Sequence, residues 1–236
     1  LASGNHLLEA VSHGICEVVE RDATTLWHLL DEESEAETRL DLDSVDDPDC
    51  RAALDKLDQA GVAAAVWETT SDVEIPAFLC RIVDRGDRRS RPLRPATGMG
   101  CHPAREIALL RAITEAAQSR LTFISGARDD LAREHYDRFL SPATQRNWRT
   151  SIEALTPGRR FRDVPTWEAE TFEEDVAWEL ERLEAAGIER TLVVDLTKPE
   201  FGLPVVRVII PGLEALDASP NYVAGKRART IVERLN

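Results

Sequence analysis

The chain has 236 residues, of which 43% are hydrophobic and 31% charged, and its net charge is −14. That length supports a full core in one domain, and the composition is that of a soluble globular protein. The charge argues against a broad surface for nucleic acid or anionic membrane. The four cysteines, Cys16, Cys50, Cys80 and Cys101, form no CxxC pair, which speaks against zinc or a disulfide framework and for a reducing cytoplasm. No apolar run approaches the roughly 18 residues of a membrane span, so no membrane association is expected. Glu9, Glu17 and Glu20 exclude a signal-peptide core at the start.

The richest stretch is the first, Leu1 to Ala23, LASGNHLLEAVSHGICEVVERDA. Ser3-Gly4-Asn5 predicts a helix start, and the apolar periodicity carries the helix to about Leu30. At about 100° per residue, Asn5, Glu9, His13, Cys16, Glu17 and Glu20 fall within about 120° of one another. Leu7, Val11, Ile15, Val18 and Val19 occupy the other side. Glu17 and Glu20, three residues apart, can share a divalent ion. Glu9 lies about 16 Å from Glu20 along the axis and would serve another part of an elongated, charged ligand.

The acidic block Asp31 to Glu37 reads as a solvated helix end or loop. A short helix is expected over Asp49 to Ala60, closed by Gly61. Val62 to Thr69 and Ile75 to Val83 read as strands joined in a hairpin or short crossover. Asp84 to Arg94 is basic and reads as a solvated loop or a phosphate or peptide contact. Gly98 and Gly100 then predict a turn, with Pro103 at the first position of a helix running to about Ile124. On that helix Arg111, Glu115 and Gln118 share one face beside Ala104 and Ala108. GMG is a weak phosphate-loop signal without the GK[ST] ending; His102 reads as a cap or loop residue, and Arg128-Asp129-Asp130 as a solvated helix end or a metal or guanidinium clamp. Helices are expected over Pro142 to Leu155, Thr171 to Ala186 and within the tail from Asn221, with strands at Thr191 to Leu196 and Pro204 to Ile210. Lys198, between those strands, is the side chain there best able to reach an anion.

Three stretches together resemble the YcaO family: the opening one, GMGCHPAREIALLRAITEAAQSR, and TLVVDLTKPEFGLPVVRVIIPGLE. The resemblance implies an α+β fold in which helices bearing an ATP/Mg site pack on mixed β-sheet layers. It implies ATP- and Mg2+-dependent phosphorylation of a peptide backbone amide on oxygen, leading to an azoline or a thioamide in a ribosomally made peptide or protein. Residue by residue, Asn5 and Glu9 resemble the family's first nucleotide and metal positions, Glu17 and Glu20 its metal pair, and Arg21 the arginine that approaches the phosphates. Arg111 and Glu115 resemble later positions of the ATP site, with Gln118 beside them; Arg21 and Arg111 are the expected catalytic cations.

The family's upstream nucleotide motif would precede Leu1, so residues 1–236 read as the C-terminal portion of a longer YcaO-like domain, incomplete at the N-terminus. VERLN stands where azoline-forming members carry a proline-rich tail, which points to the thioamide-forming branch and a TfuA-like partner protein. The oligomeric state stays open, a homodimer among the options. The alternative reading is a non-catalytic fragment that binds peptide or partner without half of the ATP site.

Overall fold

The computed structural model describes residues 1–85, 95–126, 148–150, 152, 156–215 and 222–235. The fold is α+β, as expected. Its first sheet is antiparallel, formed by β3 (Val62–Glu68), β4 (Ala77–Asp84) and β5 (Ala96–Cys101) in that order. Val66 lies opposite Cys80, and Cys80 opposite Gly98. Side chains alternate across a strand, and here both faces are covered. Val62, Val66, Phe78, Cys80 and Ile82 pack under α3 (Pro48–Gln59) and α4 (Arg105–Ser125). Ala63, Ala65, Trp67, Leu79 and Val83 meet Trp27 and Ile152 on the reverse. Burial on both faces is why these strands read as continuous apolar runs.

The second sheet sets β8 (Val205–Ile209) between β1 (Ala2–Ser3) and β7 (Leu192–Asp195), all antiparallel. Helix α1 (Leu7–Trp27) lies on it, flanked by α5 (Phe172–Ala185). Ala10, Val11, Ile15 and Val19 pack against Val206, Val208 and Leu183. Gly14 makes the contact close, since a Cβ there would stand 2.5 Å from Val208 Cγ2. β7 is the outer strand, and Leu192, Val193 and Val194 are all exposed on it. A short parallel pair, β2 (Leu40–Asp41) with β6 (Arg159–Arg160), and helix α2 (Glu32–Glu37) complete the periphery. The last helix, α6 (Lys226–Leu235), is tied to α1 by Arg227, whose Nη2 stands 2.9 Å from Asp22 Oδ2.

Several sequence expectations are corrected. Helix α1 is capped by His6, not by Ser3-Gly4-Asn5: the His6 ring accepts the Leu8 N–H and Glu9 reaches back to the His6 N–H, a capping box. Ser3 is unavailable because it pairs with Val205 in β1. The helix ends at Trp27, short of Leu30, and Leu7 is exposed. Cys16 faces the interior, 1% exposed, with its thiol directed to Glu179 Oε1 at 3.3 Å. Pro103 precedes the cap residue Ala104 instead of opening α4.

The GMG segment is strand, not turn. A Cβ on Gly98 would lie 2.1 Å from the Ala116 nitrogen, and one on Gly100 2.2 Å from the Ala108 carbonyl oxygen. The glycines let β5 lie flush on α4 along the small residues Ala108, Ala112 and Ala116. The expectations for 86–94 and 128–130, and most of that for 142–155, lie outside the described residues.

Candidate ATP and magnesium site

The two halves of the fold meet where α1 passes β5 and the near face of α4. Glu17, Glu20 and Arg21 stand three and four residues apart, on one face of α1. Arg111, Glu115 and Gln118 do the same on α4. These six line one cavity of about 310 Å³, together with His13, Met99, Cys101 and Thr114. Arg111 is fixed by its Nη1, which donates to the Cys101 carbonyl at 2.9 Å, and Arg21 Nη2 donates to Glu17 Oε1 at 3.0 Å.

The electrostatics are those of a site short of cations. Burial, then the Glu115 and Glu17 carboxylates, push the Glu20 carboxyl up to about 8, against the pull of Arg21 and Arg111. Burial also raises Glu115, against the opposing pull of a hydrogen bond from the Met99 backbone and of Arg21, with Glu17 adding to the rise. Burial and the Arg111 guanidinium lower His102 to about 4, and its Nδ1 accepts the Ala104 N–H at 3.0 Å. His102 therefore sits in the loop before α4, whose cap residue Ala104 makes no side-chain capping bond.

Behind the cavity Glu179 is fully buried. Its Oε1 accepts from Ser12 Oγ at 2.7 Å and from Cys16 Sγ, and burial pushes it up to about 8.

Asn5 and Glu9 are placed apart from this cavity, at the N-terminus of α1. One Glu9 oxygen accepts the backbone N–H of Asn5 at 2.6 Å and of His6 at 3.3 Å. The sequence separated Glu9 from the Glu17/Glu20 pair on axial distance, and the structure separates them too. Lys198 lies in the turn between β7 and β8, bridging to Leu203.

His13, Met99, Cys101 and Thr114 were not singled out as site residues. His13 was legible, one helical turn before Glu17 on the same face. Met99 and Cys101 follow from strand alternation once β5 is known to be a strand.

Comparison with known proteins decides the family. The family model described as YcaO cyclodehydratase, ATP- and Mg2+-binding, matches residues 1–214. The chain belongs to the YcaO family. It is 42% identical over 234 residues, 97% of its length, to an uncharacterized protein of the tfuA 3′ region in Rhizobium leguminosarum bv. trifolii, covering 55% of that protein. Among solved structures it is similar to the heterocyclase TruD, with a TM-score of 0.71, 29% identity, and coverage of 96% of this chain and 30% of that one. It also shares its fold with YcaO from Methanopyrus kandleri bound with AMPPCP and Mg2+, with a TM-score of 0.66, 23% identity, and coverage of 90% and 54%. The chain spans about half the length of the curated relatives it matches.

The cavity's donor set fits the family's cofactors, ATP and Mg2+. Its carboxylates offer oxygen ligands only, which suits magnesium rather than a soft metal. Among the described residues no three His, Cys, Asp or Glu side chains close around a single ion. Magnesium is commonly held by one or two carboxylates plus waters and substrate phosphates, without an all-protein cage. Burial and two neighbouring carboxylates hold Glu20 up at about 8 in spite of Arg21 and Arg111, and a divalent cation bound there would favour its ionised form. Among the described residues no helix is long and apolar enough to cross a membrane.

Proposed function

We propose that this chain takes part in ATP- and Mg2+-dependent activation of a peptide backbone amide, which is phosphorylated on its oxygen on the way to a thioamide or azoline. The observation that carries the reading is the cavity joining Glu17, Glu20 and Arg21 of α1 to Arg111, Glu115 and Gln118 of α4. Magnesium, when bound, supplies charge neutralisation between carboxylates and phosphates. Glu17 and Glu20 are its ligands, with Glu115 facing them across the cavity. Arg21 and Arg111 stabilise charge on the transferred phosphoryl group, and such positioned cations carry most of the catalysis in phosphoryl transfer. Arg111 is well suited because its bond to the Cys101 carbonyl fixes the guanidinium before any ligand arrives. Gln118 at the rim offers a neutral donor to the nucleotide, and Asn5 and Glu9 serve a more distant part of it.

The relative in the tfuA 3′ region supports the thioamide branch, a ribosomally made peptide or protein as substrate, and a TfuA-like protein as partner. The test is a peptide labelled with 18O at its backbone carbonyls, supplied with ATP, Mg2+, a sulfide source and the partner. The label is expected in the released phosphate, because the amide oxygen leaves as phosphate oxygen. Label retained in the peptide, or undiminished turnover after Glu17→Ala with Glu20→Ala, contradicts the proposal. Calorimetry showing peptide affinity without ATP affinity favours a non-catalytic binding role.

A further inference from the structure

A second cavity, of about 240 Å³, adjoins the acidic one and shares Arg21 and Met99 with it. Its other walls come from Thr24, Thr25, His28, Leu79, Thr97 and Ala215. The two compartments differ in chemistry although one helix serves both. The first holds three glutamates and two arginines. Among the described residues the second has no carboxylate and only Arg21, at the seam, as a cation; the rest is three threonines, an imidazole and an apolar flank. A metal ion finds no oxygen-rich anionic ligand set there, and a polyphosphate finds too little positive charge. A neutral polar group with apolar neighbours fits, and a peptide backbone is such a group.

Two residues sharpen the match. Thr24 is buried and its hydroxyl has no hydrogen-bond partner among the described residues, a condition that is costly to leave unmet. Threonine in a helix divides between two χ1 rotamers, so rotation about its Cα–Cβ bond can re-aim the hydroxyl without a backbone change. The neighbouring Thr25 is already committed, its Oγ1 donating to the Arg21 carbonyl at 2.7 Å. His28 follows the last turn of α1. Its partial enclosure and the Arg81 guanidinium hold the imidazole below the usual range, so it is neutral at pH 7 and has a ring nitrogen free of a proton.

Resting on the reading of the acidic cavity as the phosphoryl-donor site, we infer that this neutral compartment holds the acceptor backbone amide, with Thr24 and His28 as the side chains that hydrogen-bond it. Arg21, common to both compartments, stands where the phosphoryl group crosses between them. An acceptor on the amide N–H moves electron density toward the carbonyl oxygen, the atom that bonds to phosphorus. As that bond forms, the bond from phosphorus to ADP breaks and its electron pair leaves with ADP. Thr24 and His28 thus favour attack by oxygen over nitrogen.

The experiment titrates the full chain with N-acetylcysteine N-methylamide, a single capped residue, to tens of millimolar, following the Thr24 and Thr97 methyl and His28 ring signals by NMR. Saturable shifts of all three are expected. Thr24→Val is expected to weaken the response about fivefold, the size of one net hydrogen bond, with a melting temperature equal to or above that of the parent, because an orphaned hydroxyl has been removed. His28→Gln, which keeps an acceptor, is expected to retain more of the response than His28→Leu. No saturable shift overturns the inference, as does a lowered melting temperature in Thr24→Val with the response intact. It is also overturned if MgATP alone shifts the same three signals and displaces the capped residue, since the compartment then belongs to the nucleotide. If MgATP fails to bind while the capped residue still shifts them, the compartment stands and only the phosphoryl-donor reading falls.

Discussion

Glu20 offers the sharpest quantitative test of the acidic cavity. Its carboxyl is raised from an ordinary 4.5 to about 8 in the folded chain, chiefly by burial. An acid raised on folding binds its proton more tightly in the native state than in the unfolded one. Its contribution is therefore intact below about 4.5 and is lost as pH rises to about 8. A gap of 3.5 units, from 4.5 to 8, at about 1.4 kcal/mol per unit, sets an upper limit near 5 kcal/mol. Glu20→Gln removes the group that must ionise while keeping its shape. In chelator, urea unfolding is expected to give a variant equal to the parent near pH 4.5 and more stable at pH 8.5 by about 3–5 kcal/mol. Between those values its stability should fall less steeply, by up to about 1.4 kcal/mol per pH unit. The remaining slope belongs to the other raised acids, among them Glu115, Asp22 and Glu179, the last also pushed to about 8. Magnesium with ATP should restore the parent at pH 8.5 and do little for the variant. An unchanged slope in Glu20→Gln, or a variant less stable than the parent at pH 8.5, refutes the assignment of strain to this carboxyl.

Other consequences can be checked with simpler means. Gly98→Ala places a methyl against the backbone of α4, so a loss of about 3 kcal/mol is expected by denaturant unfolding, together with weaker nucleotide binding as α4 is pushed from β5. Arg227→Met leaves the fully buried Asp22 without its ion pair and is expected to cost about 3–5 kcal/mol; replacing Asp22 by Asn as well should recover part of that in the same melts. Arg111→Lys keeps the charge but gives up the fixed fork held on the Cys101 carbonyl. Its ATP turnover is expected to fall about tenfold or more with a smaller change in ATP affinity.

How much of this was legible in the sequence depends on which physical rule each residue obeyed. The helical faces of α1 and α4 were readable because Glu17, Glu20 and Arg21, and Arg111, Glu115 and Gln118, follow local periodicity that tertiary contacts do not alter. The hairpin of β3 and β4 was readable from apolar runs around a polar turn. β5 was not, because Gly98 and Gly100 carry turn propensity, and the reason they are glycine lies across the fold in the backbone of α4. The two-residue strand β1 was hidden for the same reason: Ser3 looks like a cap until Val205, some two hundred residues away, claims its backbone. Cys16 falls on the acid face by angle alone. Its burial depends on Glu179 and α5 arriving behind it. The neutral compartment beside Arg21 carries no motif, since Thr24, His28 and Thr97 meet through packing and not through spacing.

The outer strand β7 has a bearing on how the chain behaves at the bench. Leu192–Asp195 pairs with β8 along one side, and the described residues place no further strand on the other. Its backbone amides and carbonyls there form a template for any extended chain, and the exposed Leu192, Val193 and Val194 make the template sticky. Concentrated samples are therefore expected to self-associate through this border, with light scattering that rises with concentration. A lysine at Val193 or Val194 should quiet that association without touching the cavity between α1 and α4.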